Sequence, residues 1–189
     1  MVTIFEAAHH LRRVVPISKW TPIFLLVGLV VALLIWRPLA RSLGWRSFPT
    51  LIALLSLAGA SAMTLSPRGW YGNYKTLEQC LPSTLGDVAD SASKVGGSME
   101  SLLNVGMLFP LGCALVVASR RAVWPALLVV LLPAAIEISQ ATVVPGRQCS
   151  TTDFLANALG GLIGIVAGVV IDRMWRARER QAEPVLTNS

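Results

Sequence analysis

A membrane-spanning helix needs about 20 mostly apolar residues to cover a hydrocarbon core of roughly 30 Å. Five stretches of this chain come close to or reach that length: residues 20–36, 48–65, 101–119, 123–141 and 154–171. The pattern predicts an all-α fold, a polytopic transmembrane helical bundle of about five spans. The first stretch is short, and Trp20 and Trp36 at its two ends read as interfacial anchors. Arg12 and Arg13 ahead of it also fit the start of a signal peptide. The lack of a small-x-small cleavage pattern and the Arg37-Pro38-Leu39-Ala40-Arg41 segment that follows favour a retained span. The chain then divides into an amphipathic or interfacial segment (1–19), two spans (20–65), an extracytoplasmic loop (66–100), a three-helix core (101–172) and a cytoplasmic tail (173–189). From residue 176 onward the tail is polar enough to be read as disordered.

Composition agrees with this pattern. Of 189 residues, 54% are hydrophobic and 14% charged, and the mean hydropathy is +0.63, which excludes most soluble enzymes. A net charge of +6 would raise nucleic-acid binding for a soluble chain. Here the arginines stand just beyond the ends of apolar runs, so no nucleic-acid partner is expected, and the partners are membrane lipids. Their distribution also orients the bundle. Arg37, Arg41, Arg46, Arg120, Arg121, Arg173, Arg176, Arg178 and Arg180 fall on one side; Arg12, Arg13, Lys19, Arg68, Lys75, Lys94 and Arg147 fall on the other. Setting aside the N-terminal segment, whose side stays open, the bias puts the C-terminus in the cytoplasm of a multi-pass protein.

That topology separates the three cysteines. Cys113 lies inside a span, where a free thiol behaves as a small hydrophobe. Cys80 and Cys149 fall in two outer loops, where the topology favours a disulfide over two free thiols.

Polar residues inside apolar spans carry most of the remaining information, since a buried carboxylate at a helix centre costs roughly 2.5–3.5 kcal/mol. Glu100 and Asn104, Glu137 and Gln140, and Asp153 and Asn157 are spaced three or four apart, which puts each pair on one helix face. The topology places all three pairs near the same outer surface, with Arg147 at their level as the cation for Glu137 or Asp153. Gly160, Gly164 and Gly168 share a stripe with Asp153 and Asn157, so that stripe should face protein. Thr151 or Thr152 suits the helix N-cap, and capping is a competing role for Asp153. Pro110 and Pro133 predict departures from regular helix. Nothing has zinc spacing, and no metal or cofactor is expected.

Three motifs in order now carry a resemblance: Asn104-Val-Gly-Met-Leu-Phe-Pro110-Leu-Gly112, then Ile136-Glu137-Ile-Ser-Gln140, then Gly146-Arg147 with Asp153, Asn157, Gly160 and Gly164. Over about residues 98–171 the chain resembles the VanZ-like family. Ser150 and Thr152 stand where that pattern expects acidic residues, and Leu108 where an aromatic is usual. The loss of two carboxylates weakens any metal-dependent or acid/base role carried over from the family. The resemblance implies a small helical bacterial membrane protein, in a family whose namesake is linked to teicoplanin resistance. It supplies a compartment and a pathway rather than a reaction.

Three functions remain open. The first is binding of an envelope component, a lipid-linked wall precursor or lipoglycopeptide, by Asn104, Glu137, Gln140, Arg147, Asp153 and Asn157 at the outer leaflet, contributing to glycopeptide tolerance. The second is an enzyme on an envelope lipid with Glu137 and Asp153 as acid and base. The third is a structural or assembly scaffold with a paired polar core. A transporter fits less well, because the polar residues stop near one surface. Oligomeric state is not legible.

Overall fold

The computed structural model describes residues 18–67, 77–144 and 146–182, and the regular elements among them are helices. Helix α1 (Thr21–Leu43) and α2 (Ser47–Leu65) form a hairpin. The short α3 (Leu77–Cys80) and α4 (Leu85–Ser93) lie in the connection to α5 (Met99–Ser119), and α6 (Val123–Thr142) and α7 (Thr151–Ala182) follow. Among the described residues α1, α2, α5, α6 and α7 are the five helices long and apolar enough to cross a membrane. The expected multi-pass all-α bundle is therefore the architecture. The amphipathic segment expected at the N-terminus lies, up to residue 17, outside the described residues, as do Arg68 and Lys75.

Two helices run further than the apolar pattern predicts. Helix α1 does not stop near Trp36 but passes through Arg37 and Pro38 to Leu43. Its terminator is Gly44 at φ 65°, where the Gly44 N–H donates to the Arg41 carbonyl and the Trp45 N–H to the Ala40 carbonyl, the paired bonds of a Schellman ending. Arg37 lies over the Trp36 ring, 4.8 Å from its centroid. Charge thus marks where the span leaves the apolar layer, not where the helix ends. Helix α7 likewise continues from Ile171 to Ala182, so the stretch read as a disordered tail is helical through that residue. Asp172 and Arg176 pair one turn apart, and Arg46 from the start of α2 bonds both Asp172 (2.7 Å) and Glu179 (3.1 Å), which holds the extension against the bundle.

Helix α5 forms the centre. It packs along most of its length on α7 and on its other side against α2, while α1 lies outermost against α2, and α6 against α7. Leu108, Leu111, Ala114 and Leu115 of α5 meet Ala53 and Ala60 of α2, and Leu108 is fully buried. Val116, Val129 and Ile165 join α5, α6 and α7. Trp45 and Trp124 stack with centroids 5.1 Å apart. The outer face of α1 presents Leu26, Leu33, Leu34 and their neighbours, an apolar surface that suits lipid. The start of α1 meets the end of α2 through a 2.9 Å hydroxyl contact between Thr21 and Ser66. The starts of α5 and α7 and the end of α6 lie at this same end, with Cys80 and Cys149. Arg46, Arg120 and Asp172 mark the opposite end.

Candidate functional site

All six polar residues predicted for the site lie at the cysteine end, and their partners explain why each is tolerated there. Helix α7 begins with a cap divided between two helices. Ser150 is its N-cap, with Oγ accepting the Asp153 N–H at 3.3 Å. In a capping box the acid three residues on would accept the cap residue's own N–H. Here Glu137 of α6 takes it instead, Oε2 accepting the Ser150 N–H at 2.7 Å. Asp153 Oδ1 accepts from Asn104 Nδ2 of α5 at 2.8 Å, so one helix start ties α5, α6 and α7 together. The cap falls on Ser150 rather than on Thr151 or Thr152. Thr151 donates its hydroxyl to the Cys80 carbonyl at 2.6 Å. By contrast α4, outside the spans, has a complete local box between Thr84 and Asp87. Hydrogen bonds from Thr84, the backbone N–H first, hold the Asp87 carboxyl below its ordinary 3.8.

The second half of the cluster serves the end of α2. The last carbonyls of a helix have no partner within it. Gln140 Nε2 donates to the Thr64 carbonyl at 3.0 Å. Arg147 Nε donates to the Ser66 carbonyl at 3.2 Å, and its Nη2 reaches the Met63 carbonyl and the Ser66 hydroxyl. Gln140 and Arg147 are both buried, 8% exposed, so water does not compete freely for these carbonyls. Through these bonds the Arg147 guanidinium serves the α2 terminus, a role that its charge alone did not predict. Glu100 departs from expectation. It lies exposed in the first turn of α5, clear of the cluster, where a carboxylate complements the helix dipole.

Asn157 is the deepest member, 2% exposed, one turn below Asp153. Its Oδ1 is enclosed and, alone among buried side-chain polar atoms of the described residues, accepts no hydrogen bond from the protein. Below it Gly160 packs against the backbone of α5 at Val105. Over the cluster lies the Cys80–Cys149 disulfide, with Cα atoms 5.7 Å apart, while Cys113 is free, as the topology required. The bridge spans 69 residues. Closing such a loop stabilises by up to about 4 kcal/mol in the chain-entropy model. Reduction, or Cys80→Ser, is therefore expected to lower the unfolding midpoint of the purified protein by several degrees, and Cys113→Ala to leave it nearly unchanged. Equal midpoints with and without reductant would contradict this.

Sequence reasoning missed Ser66 and Ser150. A serine just past an apolar run gives no signal of its own; Ser150 could have been found as a cap three residues before Asp153. It also missed Asp172, buried at the other end against Arg46.

No curated protein and no solved structure matches the chain. Residues 23–172 match the family described as VanZ/LLP1, a range that takes in most of each of the five spans and all six residues of the polar cluster, and the chain belongs to that family.

Proposed function

We propose that this protein is a bacterial envelope accessory factor that binds a polar headgroup, that of a lipid-linked wall precursor or a lipoglycopeptide, and so contributes to glycopeptide tolerance. In this reading the cysteine end faces outward and the C-terminus lies in the cytoplasm. The observation that carries it is the enclosed Asn157 Oδ1. A buried acceptor without a donor costs about 1–3 kcal/mol, and a ligand N–H or O–H reaching the cluster between α5 and α7 would supply one. One turn above it, Asp153 bonds Asn104 of α5 and Glu137 of α6 bonds the start of α7, while Gln140 and Arg147 bond the end of α2. A second reading, a scaffold, is favoured by those same bonds to the α2 carbonyls. The enzyme reading has Glu137 and Asp153 alone to support it.

The two main readings separate on Asn157→Leu, which keeps the side chain's shape and removes its unsatisfied oxygen. Binding predicts unchanged or higher thermal stability together with loss of the lipoglycopeptide phenotype and of any lipid retained in native mass spectrometry. For a scaffold, phenotype follows the amount of folded protein. An unaltered phenotype at normal abundance would remove Asn157 from the ligand site. The outward orientation is checked in the same cells with an impermeant thiol reagent, in a chain carrying Cys113→Ala: a cysteine at position 90 should label and one at position 121 should not.

A further inference from the structure

Five arginines converge at the end of the bundle away from the polar cluster. Arg120 and Arg121 from the α5–α6 turn and Arg173, Arg176 and Arg180 from α7 line an open cavity of about 340 Å³, with Asp172 as its acid. Asp172 is already taken by Arg46 and Arg176. Among the described residues no acid pairs with Arg120, Arg121, Arg173 or Arg180. Arginines at a membrane boundary ordinarily splay toward water, each alone. Here one of them, Arg176, is also tied to the turn that carries two others. Arg176 Nη2 donates to the Arg120 carbonyl at 3.0 Å and its Nε to Asp172 at 2.8 Å, which pins the turn to α7. Arg173, Arg176 and Arg180 are spaced three and four apart on one face, a like-charge arrangement that repels itself unless an anion lies between.

The backbone adds to the same field. Helix α6 starts at the cavity, with Ala122 at its N-cap and no side-chain cap, so the positive end of its dipole is left to the cavity. Arg120 has φ 59°, a left-handed conformation that closes α5 and is normally taken by glycine. An arginine is kept there at the expense of backbone comfort.

We propose that this cavity is a binding site for a phosphate-bearing anion, the headgroup of an anionic membrane lipid. Guanidinium forks match phosphate oxygens in pairs, and a cavity between helices at the level where spans end is where such a headgroup resides. The site is independent of the proposed role of the polar cluster, and either can fail without the other.

The test uses the whole purified protein in detergent with equal amounts of phosphatidylglycerol and phosphatidylethanolamine, read by native mass spectrometry. The native chain should retain phosphatidylglycerol preferentially. Each arginine removed should reduce the preference about fivefold, so Arg121→Gln with Arg180→Gln should nearly abolish it. Arg120→Gly removes a guanidinium while easing the backbone, so it should reduce the preference with an unchanged or higher melting temperature. A loss that merely follows unfolding is thereby distinguished. Equal retention of the two lipids by the native chain, or an undiminished preference in Arg120→Gly and the double variant, would overturn the site. If millimolar inorganic pyrophosphate stabilises the lipid-free protein and phosphatidylglycerol adds nothing, the source is a soluble phosphate and the lipid assignment fails.

Discussion

Replacing Arg147 with alanine is expected to destabilise the folded bundle by roughly 2–4 kcal/mol, because it strips donors from carbonyls that nothing else can reach. The side chain is buried, and it serves the Met63 and Ser66 carbonyls and the Ser66 hydroxyl at the end of α2. Those carbonyls would face a cavity lined by protein near the edge of the apolar layer, where each unsatisfied group keeps its full desolvation cost. Arg147→Lys retains the charge but lacks the fork that reaches several acceptors at once, so an intermediate loss is expected. Gln140 holds the neighbouring Thr64 carbonyl. Arg147→Ala and Gln140→Ala should therefore be coupled by at least about 0.5 kcal/mol in a double-mutant cycle. Unfolding of the purified protein in mixed detergent micelles measures both, and an Arg147→Ala protein as stable as the native chain would refute this account of the α2 terminus.

The existence of the spans was legible because nothing but a bilayer or a deep core explains five apolar runs of this length. Their ends were less so. Arg37 and Arg173 were read as stops, yet a charged residue ends an apolar layer without breaking a helix; Gly44 with its Schellman bonds is what ends α1. The gathering of Asn104, Glu137, Gln140, Arg147, Asp153 and Asn157 at one end was also legible, since helical phase and strand-free topology leave few alternatives. The choice of partners was not. Reading charges looks for a carboxylate near Arg147; it gives no sign that this guanidinium serves backbone carbonyls more than 80 residues away along the chain, 81 in the case of Ser66. Side-chain chemistry in a sequence reveals donors and acids; it carries no mark for the orphan carbonyls of another helix. Arg46 shows the same blindness: counted as a topology charge, it is half of an ion pair whose acid lies 126 residues on.

Helix α5 and α7 approach so closely that the glycine stripe on α7 decides whether they can pack at all. A Cβ at Gly160 would overlap the Val105 carbonyl, one at Gly164 the Phe109 carbonyl, and one at Gly112 of α5 the Gly161 carbonyl. Each obstacle is backbone, which cannot swing aside as a side chain tip can. Gly160→Ala must therefore push the helices apart along the seam that also carries Asn104 and Asp153, lengthening their 2.8 Å bond. Overpacking of this kind costs typically 1–3 kcal/mol and more where rigid atoms collide, so about 3 kcal/mol or more is expected for Gly160→Ala and for Gly164→Ala. Gly59 of α2 and Gly106 of α5 provide the contrast, since a Cβ at either position meets nothing within 4 Å. Alanine there should be neutral or stabilising by up to about 1 kcal/mol, from helix propensity alone. Detergent unfolding of the four single variants reads the difference directly. If Gly160→Ala and Gly106→Ala unfold at the same midpoint, close backbone contact is not what joins α5 to α7, and the polar cluster must be held together by its hydrogen bonds alone.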